Sequence, residues 1–114
     1  MKVTTLAALL LAYCILVACT RTSPNAQLVQ ADSLMQKSPD SALHFLEKIY
    51  PEKLKSLEDQ AYYALLVTQA QDKNYIFQEN DSLIRVAVQY YDSIKSTSMQ
   101  AKAHYYWGCI WRNR

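Results

Sequence analysis

Three cysteines and two histidines are the side chains through which this chain could most readily do covalent or metal chemistry. A cysteine nucleophile needs a neighbour that holds it as thiolate, and a metal site needs several His, Cys, Asp or Glu side chains converging. His44 and His104 are the bases on offer, and neither stands in a recognisable catalytic neighbourhood. The sequence carries no Gly-rich phosphate loop, no metal-spaced cluster and no nucleophile elbow. It therefore predicts no enzyme, no cofactor and no bound metal. The telling cysteine is Cys19. It closes the run Leu16-Val17-Ala18-Cys19 at the end of a short apolar stretch near the N-terminus.

That run resembles the lipobox of bacterial lipoproteins: a branched apolar residue, a tolerant position, a small residue and an obligatory cysteine. The resemblance implies cleavage before Cys19 and acylation of its thiol. The preceding residues agree. Lys2 gives a positive start, and residues 3–17 hold no charge. Such a run falls short of the ~20 residues a membrane span needs but suits a signal-peptide core. On this reading Cys14 leaves with the signal and Cys19 carries lipid. Cys109 is then the lone thiol of the mature chain, so no intramolecular disulfide can form. A cysteine of that kind is expected as a small apolar residue in a helix interface. Residues 19–25 read as the lipidated cysteine and a polar tether. Thr20 follows the cysteine where Asp would signal inner-membrane retention, and no acidic stretch resembles a surface-export signal. The expected location is the bacterial cell envelope, on the outer membrane facing the periplasm.

Residues 26–114 leave room for one small domain with a limited core. Loss of Lys2 takes the net charge only from +2 to +1, and lysines and acids are interspersed. This gives no support for a nucleic-acid partner. One glycine and three prolines argue against a turn-rich β fold. Leu, Ala, Gln and Lys favour helix.

Five helical segments are predicted. Ser23-Pro24 and Ser38-Pro39 each read as an N-cap followed by Pro at the first helical position. Leu28, Ala31, Leu34 and Met35 form one apolar face, and Ala42, Phe45, Leu46 and Ile49 the next, with Pro51 as a stop. Ser56-Leu57-Glu58-Asp59 resembles a capping box opening a helix through Ala70. Asn80 or Asp81 caps a fourth helix carrying Leu83, Ile84, Ala87, Tyr91 and Ile94. Ser96-Thr97-Ser98 precedes a fifth, 99–114.

Paired helices invite a search for repeats. Ala42-x3-Leu46-x2-Ile49 matches Ala87-x3-Tyr91-x2-Ile94, and both resemble the second helix of a tetratricopeptide repeat. His104-x2-Trp107-Gly108-x2-Trp111 echoes the first-helix pattern Trp-x2-Leu-Gly-x2-Tyr. There Gly108 is expected to allow close helix approach. Tyr62, Leu65, Leu66 and Gln69 give a weaker match. The two second-helix signatures stand further apart than the family period of ~34 residues. The surplus falls near Lys53 and in the 73–79 loop, and an alignment on Asp40-Ser41 and Asp81-Ser82 shortens the offset. Together with Ala31-Asp32-Ser33-Leu34-Met35 and Pro39-Asp40-Ser41-Ala42-Leu43, the chain is similar to N-terminal regions of tetratricopeptide-repeat lipoproteins of Bacteroides type. The resemblance implies an all-α fold: antiparallel helical hairpins of a tetratricopeptide-like α-solenoid after a cleaved signal peptide (1–18). The last repeat would be incomplete, with Trp107, Ile110 and Trp111 awaiting a following helix.

Such regions often precede a regulatory domain. The implied function is a membrane-anchored scaffold for protein–protein interaction, as the sensor-side arm of a larger regulator. The alternative is a glycan-binding nutrient-uptake lipoprotein. Repeats of this family hold extended peptides on the concave first-helix face. That places Tyr63 and Tyr105 there, with Lys102, Cys109 and Arg112 beside Tyr105. The pairs Tyr62-Tyr63, Tyr90-Tyr91 and Tyr105-Tyr106 should each put one ring in the core and one near the surface, because helix neighbours point ~100° apart. His104 is expected to pack, and His44 to be exposed.

Overall fold

The computed structural model describes residues 25–113, which form five α-helices and one short 3-10 turn. The helices are α1 (Ala26–Leu34), α2 (Pro39–Glu47), α3 (Leu57–Lys73), α4 (Ser82–Ile94) and α5 (Thr97–Arg112), with the turn at Pro51–Lys53. There is no strand among the described residues, and the chain is all-α as its composition predicts. The signal segment, Cys19 and the Ser23-Pro24 start lie outside the described residues. Within them, no helix is long and apolar enough to cross a membrane.

The N-cap side chains of α1 and α3 make capping bonds, whereas those of α2 (Ser38), α4 and α5 make none. Asn25 caps α1, its side-chain oxygen accepting from the backbone N–H of Gln27 (2.9 Å) and Leu28 (3.4 Å). Ser56 caps α3 by accepting from Asp59 N–H at 3.1 Å. The predicted box is only half closed, because the Asp59 carboxylate accepts instead from the backbone N–H of Asn25 at 3.1 Å. One acidic side chain thus fastens the start of α1 to the start of α3. At α4, Asp81 is the N-cap residue but makes no capping bond. Asn80 accepts from Ser82 N–H at 3.0 Å, and the Asp81 carboxylate accepts from Trp107 Nε1 at 2.8 Å.

The helix ends are less expected. Helix α3 runs past Ala70 to Lys73, and α5 begins at Thr97, ahead of Met99. After α3, Tyr75 sits at φ 59° and after α4, Lys95 at φ 55°. Each closes a Schellman motif. Ile76 N–H reaches Gln71 C=O (2.9 Å), and Ser96 N–H reaches Tyr91 C=O (3.2 Å). Glycine normally fills this left-handed position, since a Cβ there is strained.

Consecutive helices pack as neighbours, and α3 also touches both α1 and α5. Asn74 donates to Pro39 C=O (2.9 Å), setting the end of α3 beside the start of α2. Asp92, late in α4, meets Gln100 and His104 of α5, while Asp81 at the start of α4 meets Trp107, so these two helices run antiparallel. Helix α3 is the hub. It is buried without a break from Ala64 to Ala70, as a helix covered on all sides must be. Leu66, Val67 and Ala70 face α1 and α2, against Leu28, Met35 and Leu46. Ala61, Ala64 and Leu65 face α4 and α5, against Ile84, Ala87, Tyr91 and Tyr106. Within this interior the Thr68 hydroxyl donates to Ala64 C=O at 2.8 Å.

Several expectations are corrected here. Ala42, Leu46, Ile49, Ala87 and Tyr91 of the repeated signature are buried, but Ile94 is 52% exposed. The chain reverses one residue later, at Lys95, whereas Ile49 shares a buried cluster with Leu54. A Cβ at Gly108 would meet nothing within 4 Å, so Gly108 mediates no close helix approach among the described residues. Ile110 is buried and the Trp107 ring is half-buried with its N–H bonded, leaving Trp111 as the exposed member of that trio. His104 does not pack in the interior. It is exposed and meets the Asp92 carboxylate at 3.0 Å. His44 is exposed, as predicted.

Candidate functional site

The surface feature that gathers most elements is a line of three depressions along the outer stripe of α4. Leu83, Val86 and Tyr90 recur at helical spacing, beside the buried stripe of Ile84, Ala87, Val88 and Tyr91. The first half of α3 forms the facing wall. The first depression, about 380 Å³, is lined by Pro51, Leu54, Gln60, Tyr63, Ala64, Leu83 and Val86. The second, about 280 Å³, shares Val86 and adds Leu57, Gln89, Tyr90 and Ser93. The third, about 290 Å³, shares Tyr90 and adds Asp32, Glu58, Tyr62, Tyr91, Ile94, Ser96 and Met99. Four helices contribute to this last one.

The line changes character from end to end. Its first depression is mainly apolar. Its third carries two carboxylates among three tyrosines, and among the described residues no lysine, arginine or histidine lines any of the three. Tyr62 donates its hydroxyl to Asp32. Tyr90 and Tyr91 meet edge to face, centroids 5.4 Å apart. Burial, and then the bond to Asp32, pushes the Tyr62 hydroxyl pKa up. Burial does the same for Tyr91, helped by Tyr90, Glu58 and Asp32. Tyr63 is raised by burial and by Glu52. In each case the neutral phenol is favoured in the folded chain.

A pH prediction follows with a definite sign. A group whose pKa is raised on folding stabilises fully below its unfolded value and loses that contribution as pH climbs towards the folded one. The ordinary tyrosine value is 10.0. Stability should therefore show no tyrosine-linked change up to about pH 10 and fall above it. Phenolate absorbance and helical circular dichroism, followed together, should show the late-ionising tyrosines titrating as the helix signal is lost. Ionisation of every tyrosine near the ordinary value, with the helices intact, would contradict this.

The residues expected in a peptide groove are dispersed. Tyr63 is half-buried and lines the first depression. Lys102 is half-buried on α5. Tyr105 is 59% exposed, its ring edge to face with Tyr106 at 5.0 Å. Arg112 lines a different depression with Asp72, Tyr75, Ile76, Phe77 and Asn113. Cys109 is 4% exposed in the α3–α4–α5 interior, the interface position expected of it, where the thiol is covered. The tyrosine pairs divide as predicted at Tyr90-Tyr91 and Tyr105-Tyr106, whereas both rings of Tyr62-Tyr63 are half-buried. The sequence places none of Asp32, Glu58, Val86 and Tyr90 in a site. The Leu83–Val86–Tyr90 spacing points to Val86 and Tyr90, and no local signal points to Asp32 or Glu58.

Elsewhere, Asp92 meets His104 (3.0 Å) and accepts from Gln100 (3.1 Å), and these bonds, His104 first, hold its carboxyl below the usual range. Both partners are exposed, and the cluster reads as surface pairing of α4 with α5. Among the described residues no three His, Cys, Asp or Glu side chains converge to hold a metal. No family model, no curated protein and no solved structure matches this chain.

Proposed function

We propose that this chain is a lipid-anchored helical-repeat scaffold of tetratricopeptide type that docks a peptide segment of a protein partner. It would be held by acylated Cys19 on the periplasmic side of the outer membrane, as the sensor-side arm of a larger regulator. The lipobox supports the anchor. The packing order supports the repeat reading: each helix lies against the next, and the alternate helices α1, α3 and α5 touch in series, as stacked helical hairpins do. The observation that carries the docking role is the line of depressions along α4. It is long and shallow, a shape that suits an extended chain better than a compact small molecule. Tyrosine beside carboxylates can also hold a sugar ring, and this favours a glycan-binding lipoprotein as the second reading.

The test is to pan a displayed random-peptide library on the lipidated chain in detergent micelles. The scaffold reading predicts enrichment of a short motif that is lost when Tyr90→Ala protein is the bait. Equal recovery on both baits, or no enrichment, would reject it.

A further inference from the structure

The α3–α4 groove has a polarity that defines its occupant. We propose that it binds an extended peptide carrying an apolar side chain at one end and a lysine or arginine at the other, the cation seated beside Tyr90 and the Asp32 and Glu58 carboxylates. This rests on the peptide-scaffold reading and adds the chemistry of the ligand.

Charge is the first argument. The third depression presents two carboxylates and, among the described residues, no cationic lining residue, whereas no charged residue among them lines the first. Among the described residues the nearby cations stand outside the groove. Lys53 lies over the Tyr50 ring at 5.1 Å, and Lys55, Arg85 and Lys95 are exposed and line none of the three depressions. A field of one sign selects the opposite sign in a partner and repels its own. The aromatic lining is the second argument. A cation over a tyrosine face is attracted by the ring quadrupole, more so where carboxylates and partial burial reinforce it.

Length is the third argument. Leu83 to Ile94 spans eleven helical steps, about 16 Å at 1.5 Å per residue. An extended peptide covers that distance in about five residues at ~3.3 Å each. The apolar stretch 83–86 and the acidic stretch 90–94 are centred roughly 11 Å apart along that line, which is about three to four peptide positions. Finally, Val86, Leu57 and Ile94 are 41%, 69% and 52% exposed along the rim, apolar surface that a docked chain would cover.

The experiment titrates the lipidated full chain in micelles against a fluorescent, unstructured peptide with leucine and arginine four positions apart, read by anisotropy. A second peptide has glutamate in place of the arginine. The proposal predicts that the glutamate peptide binds at least about ten-fold more weakly. It also predicts that Glu58→Gln, at an exposed position that leaves the fold intact, weakens the arginine peptide several-fold. Affinity should fall as salt is raised, because the groove is open to solvent. Equal binding of both peptides, lost on Tyr90→Ala, would overturn the cation assignment and leave the scaffold reading standing. Failure of both peptides to bind a chain with native helical dichroism would overturn both. If neither peptide binds and a neutral oligosaccharide such as cellohexaose binds tightly, with that binding lost on Tyr90→Ala, both are overturned and the glycan reading is selected.

Discussion

Leu66→Ala should lower the unfolding free energy by about 3 kcal/mol, within the range seen for fully buried leucines. Leu66 is 0% exposed and sits on α3 where that helix meets α1 and α2, against Leu28, Leu46 and Ala70. Truncation removes apolar contact and leaves a cavity that three helices cannot collapse without breaking their caps. A domain this small has roughly 5–10 kcal/mol in hand, so the variant should lose a large share of its stability. Leu57→Ala is the internal comparison. Leu57 begins the same helix but is 69% exposed, and its truncation should stay within about 0.5 kcal/mol. Urea midpoints followed by circular dichroism measure both. Equal midpoints would mean that α3 is not the hub.

The second large effect falls outside the described residues. Cys19→Ser should abolish labelling by a fatty-acid analogue. One acyl chain binds a bilayer only marginally, whereas the several chains of a bacterial lipoprotein hold firmly. Persistent labelling of the serine variant would sink the lipobox reading and, with it, the proposed location.

The helix starts were legible because they depend on local chemistry. Ser56 caps α3 through its hydroxyl and Pro39 opens α2, although Ser38 makes no capping bond there, and a hydroxyl or a proline at a helix start acts within one turn. The ends were not, because the residues that reverse the chain are Tyr75 and Lys95 in place of glycine. Nothing in a tyrosine or lysine announces a left-handed φ. Asp59 illustrates a different limit. Its spacing from Ser56 fits a capping box, but its carboxylate is taken by Asn25, a partner far along the chain. The same holds for the site. Tyr63 was placed on a binding surface from the repeat pattern, and it does line a depression. The acidic end needs Asp32 of α1 and Glu58 of α3 beside Tyr90 of α4, a meeting that helix packing creates and no local spacing encodes. Cys109 shows the converse: the repeat pattern suggested the groove, while its apolar character, read from the residue alone, agreed with its buried place.

The docking role is tested most directly in living cells by placing a photo-crosslinking residue at Gln89, which is exposed and lines the middle of the groove. The control is the same probe at Val29, 46% exposed on α1 and lining none of the three depressions. The account predicts a discrete protein adduct from position 89 that is absent from position 29 and is lost when Tyr90→Ala is introduced alongside. Adducts of equal yield from both positions, or none from position 89 in a protein correctly anchored in the envelope, would contradict it.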